Sequence, residues 1–212
     1  MYKLYYYPSN ASIAPHMLLE EIGCPYELVL VDRAMNAHKS PEYLNLNPTG
    51  VIPALIDGAQ PIHQTAAICI HLTDEHPEAN LAPLMGSALR PIYYQWMMYL
   101  TNTLQPELMT YYYPERLADD AAMAQRVEFH AERRIGDMLD ILDSHISANG
   151  PFMLGAQYSA ADIMLYMLCR WTRMHAHPAQ ARKNLRQHIE LLSARPAIAR
   201  TFAQEKLPLA WY

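Results

Sequence analysis

Three short stretches carry side chains that could do chemistry. Ser9, Asn10 and Ser12 crowd the turn between an aromatic run, Lys3 to Tyr7, and a helical pattern. Serine and asparagine are natural caps and loop formers at such a turn. Ile52-Pro53 opens the apolar run "PALI". A proline there has two readings. In the trans form it enters an edge strand. In the cis form it turns the backbone of Ile52 outward, where an extended peptide could pair with the Ile52 N–H and C=O as a short added strand. Gln64-Thr65 stand at the mouth of a further helical pattern, where short polar residues most often cap.

These stretches must be positioned by regular elements. Lys3 to Tyr7 reads as a strand and Pro8 stops it. Ser12 to Gly23 reads as a helix, with Ala14, Leu18 and Ile22 on one face and His16 and Glu20 opposite. Glu27 to Val31 is a second strand, and Ser40-Pro41 caps and opens a short helix. Asp57-Gly58 joins two strands as a hairpin, and Gln64 to His76 is helical. The order βαβαββα predicts a mixed four-stranded sheet, with the first two strands parallel by a right-handed crossover. The fold class expected is therefore an α/β N-terminal domain followed by an all-α domain.

Past His76-Pro77 the composition shifts to a linker without periodicity. The expected boundaries are 1–77, a linker over 78–87, and a helical domain over 88–212. Ala88 to about Tyr112 reads as one helix bent near Pro106. Asp119 to Ser147 is long and amphipathic, with Ile135, Met138, Leu139, Ile141, Leu142 and Ile146 on one face. "YSAADIMLYMLCRW" is apolar nearly all round, so it is expected as a buried central helix with Ser159 and Asp162 as a capping box. Two shorter helices near Ala179 to Ser193 and Pro196 to Glu205 complete the chain.

Bulk composition narrows the function classes. Of 212 residues, 51% are hydrophobic and 17% charged, which is a globular balance. The net charge of -5, with scattered basic residues, leaves no footprint for nucleic acid. No apolar run is long enough for a membrane span. Cys24, Cys69 and Cys169 form no CxxC pair and no disulfide framework, which points to a reducing cytoplasm. His175 and His177 with Cys169 fit no common zinc spacing and read as helix-surface histidines, so no metal is expected.

The run "SPEYLNLNPTGVIPALIDG" with "QTAAICIHL" resembles the glutathione-binding half of cytosolic glutathione transferases. The "YYPSNAS" turn and the "GAQYSAADIMLY" helix resemble that family too, and the resemblance spans the chain in order. It implies a thioredoxin-like domain, a helical domain and a homodimer. Pro53 matches the family's cis-proline, and Ile52 the residue whose backbone meets the cysteinyl part of glutathione. Gln64 and Thr65 match the pair that holds the γ-glutamyl carboxylate. A helix N-terminus suits that anion, because free N–H groups and the positive dipole end face it. His38 and Lys39 match positions that can meet the glycyl carboxylate. Val51 departs from the pattern, since many relatives carry lysine there.

The resemblance further implies that a donor at the first turn holds the glutathione thiolate. Ser9 matches the serine of theta-like members and is placed first, followed by Asn10 and Ser12, with Tyr6 and Tyr7 behind them. Ala11 falls where beta-like members carry cysteine, and Gln105 near their histidine. Trp96, Met109, Tyr111, Tyr112 and Tyr113 are expected to wall a pocket for a small hydrophobic electrophile. No cofactor is needed beyond glutathione as co-substrate. The expected activity is glutathione transfer in detoxification. Thiol-disulfide exchange, peroxide reduction and a non-catalytic binding role are the alternatives.

Overall fold

A computed structural model describes residues 1–209; the last three residues of the expected helical domain, 210–212, lie outside the described residues. The chain divides into two compact units. One comprises Met1–Ala82 with residues 193–209, the other Pro83–Leu192.

The first unit is built on a mixed sheet of β1 (Tyr2–Tyr6), β2 (Tyr26–Leu30), β3 (Ala54–Asp57) and β4 (Gln60–His63), in the order β2-β1-β3-β4. β1 and β2 run parallel, and β3 pairs antiparallel with both β1 and β4. The parallel pair is joined through α1 (Ile13–Ile22), as a crossover requires. Gly23 closes α1 in the left-handed conformation, φ 74°, donating to the Leu19 carbonyl. α2 (Pro41–Leu46) is capped as expected: the Ser40 hydroxyl accepts from the Tyr43 N–H at 3.2 Å. α3 (Thr65–Glu75) follows β4.

The register decides what the sheet does. Tyr5 of β1 pairs with Ala54 of β3, and Ala54 pairs with His63 of β4. This single row lies at one end of the sheet. The chain leaves β1 into Pro8-Ser9, enters β3 from Ile52-Pro53, and leaves β4 into Gln64-Thr65 at that same end. Antiparallel pairing on either side of β3 brings three segments far apart in sequence to one edge.

The second unit is helical. α4 (Arg90–Tyr99) runs through a π-helical turn, Leu100–Leu104, into α5 (Gln105–Tyr112). The expected bend near Pro106 takes the form of this widened turn. Proline has no N–H to give to the carbonyl four residues back and its ring crowds that group, so the helix loosens just upstream. α6 (Ala121–Asn149) is capped by Asp120, whose side chain accepts from the Met123 N–H. Its buried stripe is Ala131, Ile135, Leu139, Leu142 and Ile146. Ile141, expected on this face, is 52% exposed, because two residues past Leu139 is about 200° around a helix. α7 (Ala160–Trp171) is buried at every position from Ala160 to Arg170.

Asp162 at the start of α7 does more than cap. It accepts from the Ser159 N–H and hydroxyl, from the Met153 N–H at 2.7 Å, and pairs with His188 Nε2 at 2.9 Å. His188 lies on α8 (Lys183–Ser193).

α9 (Pro196–Gln204) was expected with the helical half. It instead packs on α1 within the first unit, burying Ala197, Ile198, Thr201 and Phe202. Arg195 pairs with Glu21, and Arg200 with Glu20, along this seam.

Candidate functional site

The sheet edge carries the candidate site. At its first segment, Ser9 sits in the left-handed region at φ 59°, which a non-glycine residue holds only under constraint. The constraint is visible: the Ser9 N–H donates to Glu205 Oε2 at 3.0 Å. Glu205 Oε1 lies 2.8 Å from His16 Nδ1, and both side chains are wholly buried. His16 Nε2 in turn lies 3.0 Å from Gln204 Oε1 and 3.2 Å from the Tyr26 hydroxyl. The Tyr26 hydroxyl and the Gln204 amide both donate to Glu20, which Arg200 also meets. Burial raises the Glu20 carboxyl pKa, but the bonds from Tyr26, Arg200 and Gln204 outweigh it and hold the group below the usual range.

This chain of polar contacts corrects the expected polar face of α1. His16 is not at the surface; α9 covers it and supplies its carboxylate partner. Sequence periodicity could not show this, since Glu205 is 189 residues away.

The three candidate donors of the turn differ. Ser12 is fully buried, and its hydroxyl donates to the Tyr7 carbonyl at 3.2 Å and accepts from the Tyr7 N–H at 3.3 Å. Ser12 is therefore closed off from a ligand. Asn10 Oδ1 accepts from the Ala11 N–H at 2.7 Å, which leaves its amide N–H groups as donors. Ser9 remains half-buried. Of the tyrosines placed behind them, Tyr6 packs edge-on against His16, and burial together with Glu205 raises its hydroxyl pKa. A raised value disfavours a tyrosinate there.

At the second segment the Ile52–Pro53 bond is cis, and Ile52 and Pro53 precede the paired residues of β3. The loop leading to them is braced from within. The Tyr43 hydroxyl and Asn47 Nδ2 each donate to the Val51 carbonyl at 2.7 Å. Asn47 Oδ1 accepts from the Thr49 N–H and hydroxyl. Lys39 Nζ donates to the Gly50 carbonyl at 3.0 Å. Gly50 has φ 59°, and a Cβ there would stand 3.1 Å from the His38 carbonyl oxygen, so conformation first and space second call for glycine. Tyr43 and Asn47, which brace this loop, are not singled out by the sequence reading; the "NPTG" turn following a helix was the available signal.

His38 and Lys39 therefore divide their roles. Burial, then Lys39 and Arg33, push the His38 imidazole below its ordinary value, so it is a neutral donor near pH 7 rather than a cation. Lys39 is the cation, with one donor already on Gly50.

At the third segment Gln64 has φ 75°, and its side chain makes no capping bond. The expected plain cap is thus not what this side chain does. Thr65 is buried and opens α3, whose first N–H groups have no partner within the helix.

The residues of the expected electrophile wall stand in different surroundings. Trp96 is a core residue, 7% exposed, with its ring 4.2 Å from that of His145. Met109 is half-buried. Tyr111 stacks on His175 at 3.9 Å, the Tyr112 hydroxyl donates to the Trp171 carbonyl, and Tyr113 lies under the Arg116 guanidinium at 4.1 Å. His175, read as a surface histidine, is buried against Tyr111; His177 is exposed. Among the described residues no group of three potential ligands could hold a metal ion. Burial pushes the Cys69 and Cys169 thiols up and keeps them unreactive.

Comparison with known proteins bears on this geometry. Residues 1–74 match the model for the glutathione S-transferase N-terminal domain, and residues 102–205 match that for the C-terminal domain. The chain belongs to the glutathione S-transferase family. Glutathione S-transferase 3 of Zea mays is 29% identical over 97% of this chain and 95% of its own. The solved glutathione S-transferase from Xylella fastidiosa is 28% identical and superposes with a TM-score of 0.90 over 98% of this chain and all of its own. A glutathione transferase homolog from sulfitobacter, solved with bound glutathione, is 25% identical with a TM-score of 0.89 over 98% of this chain and 99% of its own. Like its relatives the protein is an enzyme, a glutathione S-transferase. No helix among the described residues is long and apolar enough to cross a membrane.

Proposed function

We propose that the protein binds glutathione at the sheet edge and activates its thiol for transfer to a small hydrophobic electrophile. The observation that carries this is the row Tyr5, Ala54 and His63, which brings Ser9, Ile52 and Gln64-Thr65 to one edge. A tripeptide needs three things there: a backbone partner for its middle residue, an anion seat for its γ-glutamyl end, and a donor for its sulfur. Ile52, the Gln64-Thr65 start of α3 and the Ser9 turn are the corresponding groups. His38 and Lys39 serve the glycyl carboxylate.

A free thiol with a pKa near 8.5 is only about 3% ionised at pH 7. A hydroxyl or amide donor to the thiolate raises that fraction. Ser9 fills this role first and Asn10 second. Met109, Tyr111, Tyr112 and Tyr113 face the electrophile. The working protein is a cytoplasmic homodimer, with the tripeptide site on 1–77 and the electrophile site on the helical residues after the 78–87 linker.

Isothermal titration with glutathione tests the reading; no heat of binding at millimolar ligand would sink it. Rates on a chloro-nitroaromatic and on a small mixed disulfide then define the reaction. Turnover of the disulfide alone would replace transfer by thiol-disulfide exchange.

A further inference from the structure

The loop before Ile52 holds a positioning device that the reaction alone does not call for. We infer that Tyr43, together with Asn47, sets glutathione affinity by fixing the direction of the Ile52 N–H from inside the protein. This rests on the proposed glutathione site.

The argument is one of peptide geometry. The Val51–Ile52 bond is trans, since the cis bonds are Ile52–Pro53 and Gly150–Pro151. In a trans peptide the C=O and the following N–H share one plane and point in opposite directions. The Val51 carbonyl accepts two hydrogen bonds from the interior, from the Tyr43 hydroxyl and from Asn47 Nδ2, both at 2.7 Å. Two donors occupy both lone pairs of that oxygen. The oxygen is therefore pinned inward and the Ile52 N–H on the same plane is turned away, toward the edge where a ligand backbone would lie. The Ile52 N–H has no acceptor among the described residues.

The brace is itself well anchored. Tyr43 is buried in a cluster with Val31, Ile52 and Ala54, and its ring packs on Tyr5. Burial pushes its phenol up to about 12, so it stays a donor at working pH. The Asn47 amide is oriented by the two donors from Thr49, which require its oxygen on their side. Lys39 holds the preceding carbonyl, Gly50, so the peptide cannot escape by rotating the plane before it. Neither Tyr43 nor Asn47 needs to touch glutathione to act.

Tyr43→Phe removes one donor and keeps the ring. Steady-state kinetics with varied glutathione at saturating electrophile should show a KM for glutathione raised about fivefold, the factor expected for one net hydrogen bond. The same experiment should leave kcat and the KM for the electrophile within twofold. Asn47→Ala, which withdraws the other donor, should give the same split. A purely structural tyrosine would lower the thermal midpoint and leave the KM of the folded enzyme unchanged, and that result overturns the inference, as does a fall in kcat alone. Wild-type protein that binds no glutathione in titration removes the function reading itself, and the two failures are thereby distinct.

Discussion

Replacing Glu205 by alanine is the most searching perturbation of the first unit. The carboxylate is wholly buried and serves two donors, the Ser9 N–H at 3.0 Å and His16 Nδ1 at 2.8 Å. Removing it strands both. A buried donor left without a partner costs about 1–3 kcal/mol, so with two stranded a loss of about 4 kcal/mol is expected. That is a large share of the roughly 5–15 kcal/mol that holds a domain folded. Glu205→Gln keeps the shape but can accept from only one of the two partners, so about half that loss is expected. Ser9 holds its left-handed φ through this carboxylate, so the turn should also relax. The fall in kcat/KM should then exceed what a lower folded fraction explains. Urea unfolding gives the first quantity, and kinetics under conditions where each variant is folded give the second. If Glu205→Ala unfolds within about 1 kcal/mol of wild type, the carboxylate is not the buried keystone that its contacts imply. If stability falls but the folded variant turns over like wild type, the Ser9 turn does not depend on it.

Other outcomes follow from the same contacts. Ser9→Ala should lower kcat by about 10²-fold or more if its hydroxyl stabilises the thiolate, and should shift the pH profile of kcat/KM upward, because less thiolate forms at a given pH. An unchanged profile passes the role to Asn10. Asp162→Ala should destabilise by about 3–5 kcal/mol in urea unfolding, since four donors from Ser159, Met153 and His188 lose their acceptor. The Glu20 carboxyl is held below its ordinary value, so its stabilisation is complete above the usual carboxylate range and is lost as pH falls through the lowered value. Glu20→Gln should flatten the acid limb of a stability-against-pH curve and leave the limb above neutrality unchanged.

Much of the architecture was legible because local rules and tertiary needs agree. The βαβαββα order, the Gly23 stop, the Ser40 cap and the buried "YSAADIMLY" helix each follow from short-range chemistry that the fold also uses. The family resemblance points to the candidate glutathione residues, and the structure shows Thr65 opening α3 as the sequence reading expects. Helical periodicity puts His16 opposite the apolar face of α1, but it says which face a residue is on, not what will cover that face. Trp96 reads as a pocket wall because aromatic side chains suit flat hydrophobic ligands, but its ring partner His145 comes from a different helix.

Capping, turns and periodicity act over a few residues, so the elements and their order are written in the local chain. The candidate site's edge is a product of tertiary contacts. Sheet register brought Ser9, Ile52 and Gln64 together, and α9 returned across the chain to place Glu205 beneath the Ser9 turn. The Val51 carbonyl was likewise turned inward by Tyr43 and Asn47. These are choices of partner and direction, made by hydrogen bonds between groups whose separation along the chain carries no local signal.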